Sequence, residues 1–348
     1  MELTQKIREL TPYAPIQGEY AVRLDANESF IPLEGPVRKK ALAAVAAVDF
    51  NRYPDPCCTA LCRAFGDYYG IPSRLVTAGN GSDELISILM NCFFQKGDIV
   101  LTLAPDFSMY DFYGQLAQLR VESLPKGEGP LDAGAVAAAV REKGAAGLIF
   151  SNPCNPTSLG AGRETIREVL KALPDTLVIL DEAYMDFWDR SMLKEAEEYD
   201  NLVILRTCSK AMGLAGIRLG FAVAGEKLTG AFQAAKSPYN VNAMTQAVGE
   251  AVLRDREYLQ SCVRRLKAAR EELYRGLLAL GERKPGAILA LEEPVTNFVW
   301  VATRDDGMVF EGLKARSIVI RRMKDRLRIT AGSPAENRAL LEALEELL

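Results

Sequence analysis

Short apolar runs alternate with amphipathic segments along most of this chain, and that alternation limits the possible fold more than any other feature. An apolar run that ends near Gly, Pro or Asn and lacks polar alternation is typical of a strand in a sheet covered on both faces. Helix-like stretches such as "GSDELISILMNCFF" and "GRETIREVLKAL" fit the crossovers of a mostly parallel α/β sheet. The predicted strands are "LVTA" (75–78), "IVLTL" (99–103), "GLIFS" (147–151), "LVIL" (177–180), "LVIL" (202–205) and "FAVA" (221–224).

The last third of the chain has a different pattern, which predicts a second, smaller α+β domain. A long charged helix, "REYLQSCVRRLKAAREELYRGLLAL", is followed by the strand-like "NFVWVAT", "SIVIRRM" and "RLRIT" and by a final helix, "AENRALLEALEELL". We predict a large domain over 31–240 and a small domain over 241–348, with residues 1–30 as an N-terminal arm and part of the small domain. Because no Gly/Ser-rich linker separates the parts, we expect a cleft between them.

The charge of the chain excludes several classes of partner. It has 42 Lys and Arg against 46 Asp and Glu, and this net charge of -4 creates no field that attracts nucleic acid or an anionic membrane. The first residues, "MELTQKIREL", lack the apolar stretch of a signal peptide, and no run of about 18 apolar residues occurs. We expect a cytoplasmic protein with no nucleic-acid or membrane partner.

The chain has no histidine, which limits its chemistry. Ser/His and Cys/His nucleophile systems and histidine-bound zinc are thereby excluded. The 7 cysteines form an odd set without CxxC pairs, as expected for small hydrophobic residues in a reducing compartment rather than disulfides or metal ligands. Any catalysis must therefore use lysine, carboxylates, tyrosine or a cofactor, and we predict no metal.

Polar residues follow several predicted strands, at the edge where open parallel sheets bind ligands. Asp181 comes directly after "LVIL", and Asn155 lies in "NPCNPTS" after "GLIFS". A carboxylate in that position either caps the next helix or serves a site, and two Asn-Pro pairs also favour a turn. The residues alone leave both interpretations open.

The segment "TAGNGSDELI" (77–86) is a strand, a Gly-rich turn and a helix start. Its backbone N–H groups and positive helix end suit a phosphate, although Ser82 or Asp83 with Glu84 also fits a simple capping box. The next strand leads into "APDFSMY", which brings Phe107 and Tyr110 to the same edge, for packing or for stacking on a ligand.

A lysine, Lys210, lies between hydroxyl and small residues in "TCSKAMGLAGIRLGF" (207–221), with Arg218 eight residues further on. Combined with the acid, the Asn turn, the Gly-rich anion site and the aromatic residues of one sheet edge, this arrangement indicates a pyridoxal phosphate site.

The chain resembles the fold-type I aminotransferases, and among them the histidinol-phosphate aminotransferase family, from "LTPY" (10–13) to "RLRITAG" (326–332). The motifs that carry the resemblance are "NRYPDP", "NPCNPTS", "DEAY", "SKAMGLAGIRLGF" and "SPYNVN". It implies a large α/β domain with a mostly parallel seven-stranded sheet covered by helices, a smaller α+β domain, and pyridoxal 5'-phosphate as cofactor.

The resemblance implies catalytic roles for three residues. Lys210 would hold the cofactor aldehyde as a Schiff base and later shuttle a proton to and from the substrate. Asp181 would pair with the pyridine nitrogen and keep it protonated. Tyr184, together with Asn155, would hydrogen-bond the ring 3-oxygen.

It also implies how the rest of the cofactor is held. Its phosphate would be bound by Thr207, Ser209 and Arg218 and by the backbone N–H groups of Ser82 and Asp83.

Two aromatic residues complete the implied cofactor site. Phe107, where the family usually has tyrosine, would stack on the ring. Tyr53 of "NRYPDP" would reach the cofactor phosphate of the neighbouring subunit, which makes the expected active unit a homodimer.

Substrate binding is implied for five residues. Arg328 would bind the carboxylate of glutamate or the substrate phosphate by turns, with Asn27 of "LDANES" nearby, although this motif departs from the family's "NENP". Tyr13 and Arg321 match the residues for the phosphate of histidinol phosphate, and we also place Tyr110 among the substrate contacts. From the residues alone, Arg321 also fits an edge-strand charge pair with its neighbour.

The implied reaction moves an amino group between glutamate and imidazole-acetol phosphate, with histidinol phosphate and 2-oxoglutarate as the partners in the other direction. Two alternatives share the lysine motif. They are an aminotransferase for aromatic or other amino acids, and a pyridoxal phosphate-dependent decarboxylase of a phosphorylated amino acid.

Overall fold

The computed structural model of the chain describes residues 1–10, 16–126, 129–324 and 326–348, without the side chains of Gln5 and Glu9. Tyr13, one of the predicted substrate residues, lies outside the described residues. The described helices are α1 (Gln5–Glu9), α2 (Gly35–Ala46), α3 (Thr59–Tyr69), α4 (Gly81–Cys92), α5 (Met109–Leu116), α6 (Ala133–Lys143), α7 (Arg163–Ala172), α8 (Glu226–Ala235), α9 (Ala243–Leu253), α10 (Arg256–Arg283), α11 (Asp306–Ala315) and α12 (Pro334–Leu347).

A seven-stranded sheet with the order β2-β8-β7-β6-β5-β3-β4 forms the centre of the larger part of the molecule. Strand β8 is antiparallel to both of its neighbours, whereas the other pairs are parallel. The prediction of a mostly parallel seven-stranded sheet is therefore confirmed. Its strands are β2 (Val76–Gly79), β3 (Ile99–Ala104), β4 (Arg120–Pro125), β5 (Gly147–Ser151), β6 (Leu177–Asp181), β7 (Leu202–Thr207) and β8 (Gly220–Ala224).

Successive residues of the central strands pack into two different cores. In β6, Val178 and Leu180 belong to one buried cluster and Ile179 belongs to another. In β7, Ile204 and Val203 are divided in the same way. Because both faces of the sheet are covered, these strands are apolar at successive positions over 177–180 and 202–205, which explains the continuous runs in the sequence.

A second, antiparallel sheet has the order β12-β13-β10-β9. It packs with α10, α11 and α12 around its own apolar cluster. The predicted boundaries of the two domains remain predictions. The strands are β9 (Ile288–Leu291), β10 (Phe298–Thr303), β12 (Arg321–Met323) and β13 (Arg326–Thr330).

The predicted strand "SIVIRRM" is divided between two sheets. Its first part, β11 (Ile318–Val319), pairs in parallel with β1 (Val22–Arg23), and its second part is β12. The N-terminal segment is thereby fastened to the C-terminal part of the chain. No helix within the described ranges, the long α10 included, is apolar enough over a sufficient length to cross a membrane.

Candidate active site

A cavity of about 550 Å³ lies at the carboxyl ends of β5, β6 and β7. Its floor comes from the large sheet, and its far wall comes from the second sheet and from residues 25–28. Most of the residues predicted for the site line it together. They are Asn27, Ser82, Asp83, Phe107, Asn155, Asp181, Tyr184, Thr207, Ser209, Lys210, Arg218, Arg321 and Arg328.

Lys210 follows β7 and reaches across the cavity to the N-terminal segment. Its Nζ donates a hydrogen bond to the main-chain oxygen of Ala26 at 3.0 Å. Burial lowers the pKa of the Lys210 amine to about 8, with the positive charge of Arg328 as the next cause, while Glu28 raises this pKa. About a tenth of an amine with this pKa is neutral at pH 7, far more than of an ordinary lysine, and a nucleophile or a proton carrier requires the neutral form.

Asp181 is the last residue of β6, and both of its carboxylate oxygens accept hydrogen bonds. The backbone N–H of Ala183 donates to Oδ1 at 3.0 Å, and the hydroxyl of Tyr110 donates to Oδ2 at 2.8 Å. Burial raises the pKa of Asp181 to about 7, and these two hydrogen bonds lower it. The carboxylate therefore faces the cavity in a fixed orientation.

Tyr110 does not line the cavity, contrary to the prediction that it contacts the substrate. It is fully buried, with 0% of its surface exposed, and its hydroxyl lies behind Asp181. Tyr110 lies in the first turn of α5 and belongs to the buried apolar cluster that includes Ile149, while Phe107, three residues earlier, lines the cavity. Tyr110 thus contacts the site only through Asp181.

An anion-binding corner is formed where α4 begins. The first N–H groups of a helix lack intrahelical partners, and the side chain of Asn80, at the N-cap, does not cap them. Arg218 donates to Asp83 at 2.8 Å and to the hydroxyl of Ser209 at 3.4 Å. A Cβ at Gly81 would lie 2.8 Å from Nη2 of Arg218, so glycine permits this close approach.

Asn27 connects the large sheet to the second sheet at the cavity wall. Its side-chain Nδ2 donates to the hydroxyl of Tyr184 at 2.9 Å, and its Oδ1 accepts from the hydroxyl of Thr330 at 3.0 Å. The side chain of Asn297 donates to the main-chain oxygen of Asn27 at 3.1 Å. Asn27 is buried and has a left-handed φ of 53°, a conformation that asparagine adopts more readily than most residues.

Two arginines lie opposite each other on the wall formed by the second sheet. Arg321 of β12 and Arg328 of β13 are direct cross-strand partners, and both line the cavity. Arg328 is held by hydrogen bonds to Oδ1 of Asn155 and to the main-chain oxygen of Asp25, each at 2.6 Å. Like charges directly opposite each other destabilise a sheet, and an anion bound between them would offset that cost.

A family model described as aminotransferase class I and II matches residues 22–344. The histidinol-phosphate aminotransferase of Clostridium kluyveri is 38% identical over 351 residues, which cover 99% of this chain and 98% of that protein. The chain belongs to the histidinol-phosphate aminotransferase family. A second member, from Thermococcus gammatolerans, is 37% identical over 350 residues, covering 99% of this chain and 97% of that protein.

Solved structures of this family share the fold. The histidinol-phosphate aminotransferase of Sinorhizobium meliloti, crystallised in complex with pyridoxal-5'-phosphate, superposes with a TM-score of 0.87 at 25% identity. The match covers 99% of this chain and 97% of that chain. The prediction of the fold-type I aminotransferase architecture, and of the family within it, is thereby confirmed.

Tyr53 is the predicted cofactor residue that lies apart from the cavity of its own chain. It is 81% exposed, and its ring stacks on that of Tyr239, with centroids 4.5 Å apart. Tyr239 belongs to "SPYNVN", one of the motifs that carry the resemblance to this aminotransferase family. Two exposed, stacked aromatic rings form a surface suited to contact with another chain.

Several residues that line the cavity of this family member were not predicted, and Glu28 and Tyr113 are two of them. Glu28 places a carboxylate near Lys210, and its position beside Asn27 in "LDANES" was the available signal. Tyr113 lies one turn beyond Tyr110 on α5, and nothing in its local sequence distinguishes it from a packing residue.

Proposed function

We propose that this chain is a pyridoxal phosphate-dependent aminotransferase of histidine biosynthesis that converts histidinol phosphate and 2-oxoglutarate into imidazole-acetol phosphate and glutamate. One observation carries the proposal: Lys210 and Asp181 face the same cavity as a cross-strand arginine pair. The first two residues suit amino-group chemistry on the cofactor. The arginine pair suits a substrate with a phosphate or a second carboxylate.

The residues of the cavity fit pyridoxal phosphate, which when bound supplies an electron sink for bonds at the amine-bearing carbon of the substrate. Asp181 would accept a hydrogen bond from the ring nitrogen, and Phe107 would lie on the ring face. Tyr184 and Asn155 would hydrogen-bond the ring 3-oxygen.

The cofactor phosphate would lie at the start of α4. Arg218 already binds an oxyanion in this corner, the carboxylate of Asp83, and its guanidinium has further N–H groups for a phosphate. The hydroxyls of Thr207 and Ser209 and the backbone N–H groups of Ser82 and Asp83 would complete the site. This set is typical of phosphate binding at a helix N-terminus.

Lys210 would hold the cofactor covalently and then act as the proton carrier of the reaction. Released from the cofactor by the substrate amine, the neutral Lys210 would take the proton from the amine-bearing carbon of the substrate and deliver it to C4′ of the cofactor.

The arginine pair would bind the anionic groups of the substrates. Arg321 would bind the phosphate of histidinol phosphate, and Arg328 would contact either this phosphate or a carboxylate of glutamate. The predicted contribution of Tyr13 to the phosphate site remains part of the proposal.

The active unit would be a homodimer in the cytoplasm, with Tyr53 reaching the cofactor phosphate of the partner subunit. The exposed aromatic pair of Tyr53 and Tyr239 supports such a contact, and Phe50, which is 72% exposed, lies close by in the sequence. The 7 cysteines are free thiols, in keeping with a reducing compartment.

The decisive experiment follows the absorbance of the bound cofactor through both half-reactions. Glutamate should convert the cofactor band of the purified protein to that of the amine form, and imidazole-acetol phosphate should restore it. Recovery with aromatic 2-oxo acids at an equal rate would instead identify a broad amino-acid aminotransferase. Release of carbon dioxide from a phosphorylated amino acid would identify a decarboxylase.

A further inference from the structure

We infer that Tyr110 is a positioning residue for Asp181. The hydroxyl of Tyr110 holds the carboxylate of Asp181 ionised and directed at the ring nitrogen of the cofactor. This inference rests on the role proposed above for Asp181. It replaces the predicted substrate contact of Tyr110 with a contribution to the electronic state of the cofactor.

The geometry around Asp181 fixes the carboxylate from two sides. Ala183 donates to Oδ1 at 3.0 Å, and Tyr110 donates to Oδ2 at 2.8 Å. A carboxylate held at both oxygens cannot rotate freely, yet each oxygen retains a lone pair for a further donor. The ring nitrogen of the cofactor is the donor that the cavity side would supply.

The direction of the Tyr110 hydrogen bond is set by its surroundings. Burial raises the pKa of the Tyr110 phenol well above its ordinary value, so the hydroxyl remains a donor. Burial and the negative charges of Asp106 and Asp83 raise the pKa of Asp181, whereas the hydrogen bonds from Tyr110 and Ala183 lower it. Without the tyrosine hydroxyl, Asp181 would hold a proton more tightly.

Tyr110 is also connected through the chain to Phe107, the residue proposed to lie on the cofactor ring. The backbone N–H of Tyr110 donates to the main-chain oxygen of Phe107 at 3.2 Å, and the two rings meet edge to face with centroids 5.6 Å apart. Phe107 lines the cavity, and Tyr110 lies behind Asp181. Tyr110→Phe keeps the ring and its packing against Phe107, so its effect reports the hydroxyl alone.

The test measures where the proton lies between Asp181 and the cofactor. The holoenzyme is loaded with pyridoxal phosphate labelled with nitrogen-15 in the ring, and the NMR shift of that nitrogen reports its protonation. In the unmodified protein the ring nitrogen should be protonated. In Tyr110→Phe the equilibrium constant for the proton between the ring nitrogen and Asp181 should shift toward the carboxyl by roughly 10- to 100-fold. This is the size expected from the loss of one hydrogen bond to a charged acceptor.

The chain offers a matched control in Tyr69, whose hydroxyl also donates to a carboxylate, that of Asp186, at 2.8 Å. Tyr69→Phe removes the same kind of bond outside the cavity and should leave the nitrogen signal unchanged. Tyr110→His, which retains an N–H donor, should restore part of the shift. If Tyr110→Phe and the unmodified protein give the same nitrogen shift, the inference is wrong.

Two further variants separate the inference from its premise. Asp181→Asn should leave the ring nitrogen unprotonated, and a normal signal in that variant would refute the proposed role of Asp181 itself. If Tyr110→Phe does not fold, 4-aminophenylalanine at position 110 keeps the shape of the side chain and makes a weaker donor. It should then move the proton from the ring nitrogen toward the carboxyl, and an unchanged signal would overturn the inference.

Discussion

The Nζ of Lys210 is hydrogen-bonded to the main-chain oxygen of Ala26 at 3.0 Å, although 184 positions separate the two residues. Ala26 lies in the segment that also brings Asn27 and Glu28 to the cavity. The amine assigned to the chemistry is therefore oriented by the N-terminal segment before any ligand binds.

Lys210→Ala should abolish the covalent attachment of the cofactor and nearly all catalysis, because no other amine is proposed to reach the cofactor aldehyde. Pyridoxal phosphate should still bind through its phosphate and ring contacts. Borohydride treatment followed by mass spectrometry checks this, since the unmodified protein should retain the added mass and Lys210→Ala should not. Lys227→Ala, at an exposed position on α8, is the control and should behave like the unmodified protein.

The capture of pyridoxal phosphate by the cofactor-free protein should depend on pH with a midpoint near 8. The pKa of the Lys210 amine is lowered to about 8, so half of the amine is neutral at that pH, and the neutral fraction reaches its plateau only at higher pH. Arg328→Gln removes one charge that lowers this pKa, and the midpoint should then rise. Stopped-flow absorbance measures the rate, and a midpoint near the ordinary lysine value of about 10.4 would contradict the prediction.

Arg321→Leu should weaken the use of histidinol phosphate and largely spare glutamate. The loss of one charge-assisted contact corresponds to about 1.5–3 kcal/mol, or roughly 10- to 100-fold in kcat/KM. Arg322→Leu is the control, because this neighbouring arginine does not line the cavity. Single-turnover rates with each substrate decide the outcome, and an equal loss for both would assign Arg321 to the fold rather than to phosphate recognition.

Mixing two inactive variants should restore activity if Tyr53 serves the partner's site. A heterodimer of Lys210→Ala and Tyr53→Ala protomers has one site with both defects and one intact site. Random exchange of equal amounts should then recover about a quarter of the normal activity per subunit. If Tyr53 acts only within its own chain, no activity should return.

The sequence predicted the central strands well because they are buried on both faces. The predicted run over 147–151 coincides with β5, and the run over 177–180 differs from β6 only by the omission of Asp181. Strand β4 was not predicted. It is an edge strand in which charged residues such as Arg120 and Glu122 interrupt the apolar pattern, so a search for apolar runs does not detect it.

The site was predictable where a residue type is tied to a strand end or to a motif, as for Asp181 and Lys210. It was not predictable where the direction of a side chain decides its contacts. Phe107 and Tyr110 lie three residues apart, yet only the former lines the cavity. Local sequence does not specify how the first turn of α5 is rotated against the sheet, because tertiary packing sets that rotation.

The cavity is assembled from two sheets, for which we propose different roles. Lys210 and Asp181 belong to the ends of β7 and β6, whereas Arg321 and Arg328 project from β12 and β13. Substitutions in the second sheet can therefore alter which molecule is bound while the reactive groups keep their places. Such a division allows a lineage of enzymes to acquire new substrates through small mutational steps without passing through a form that has lost its chemistry.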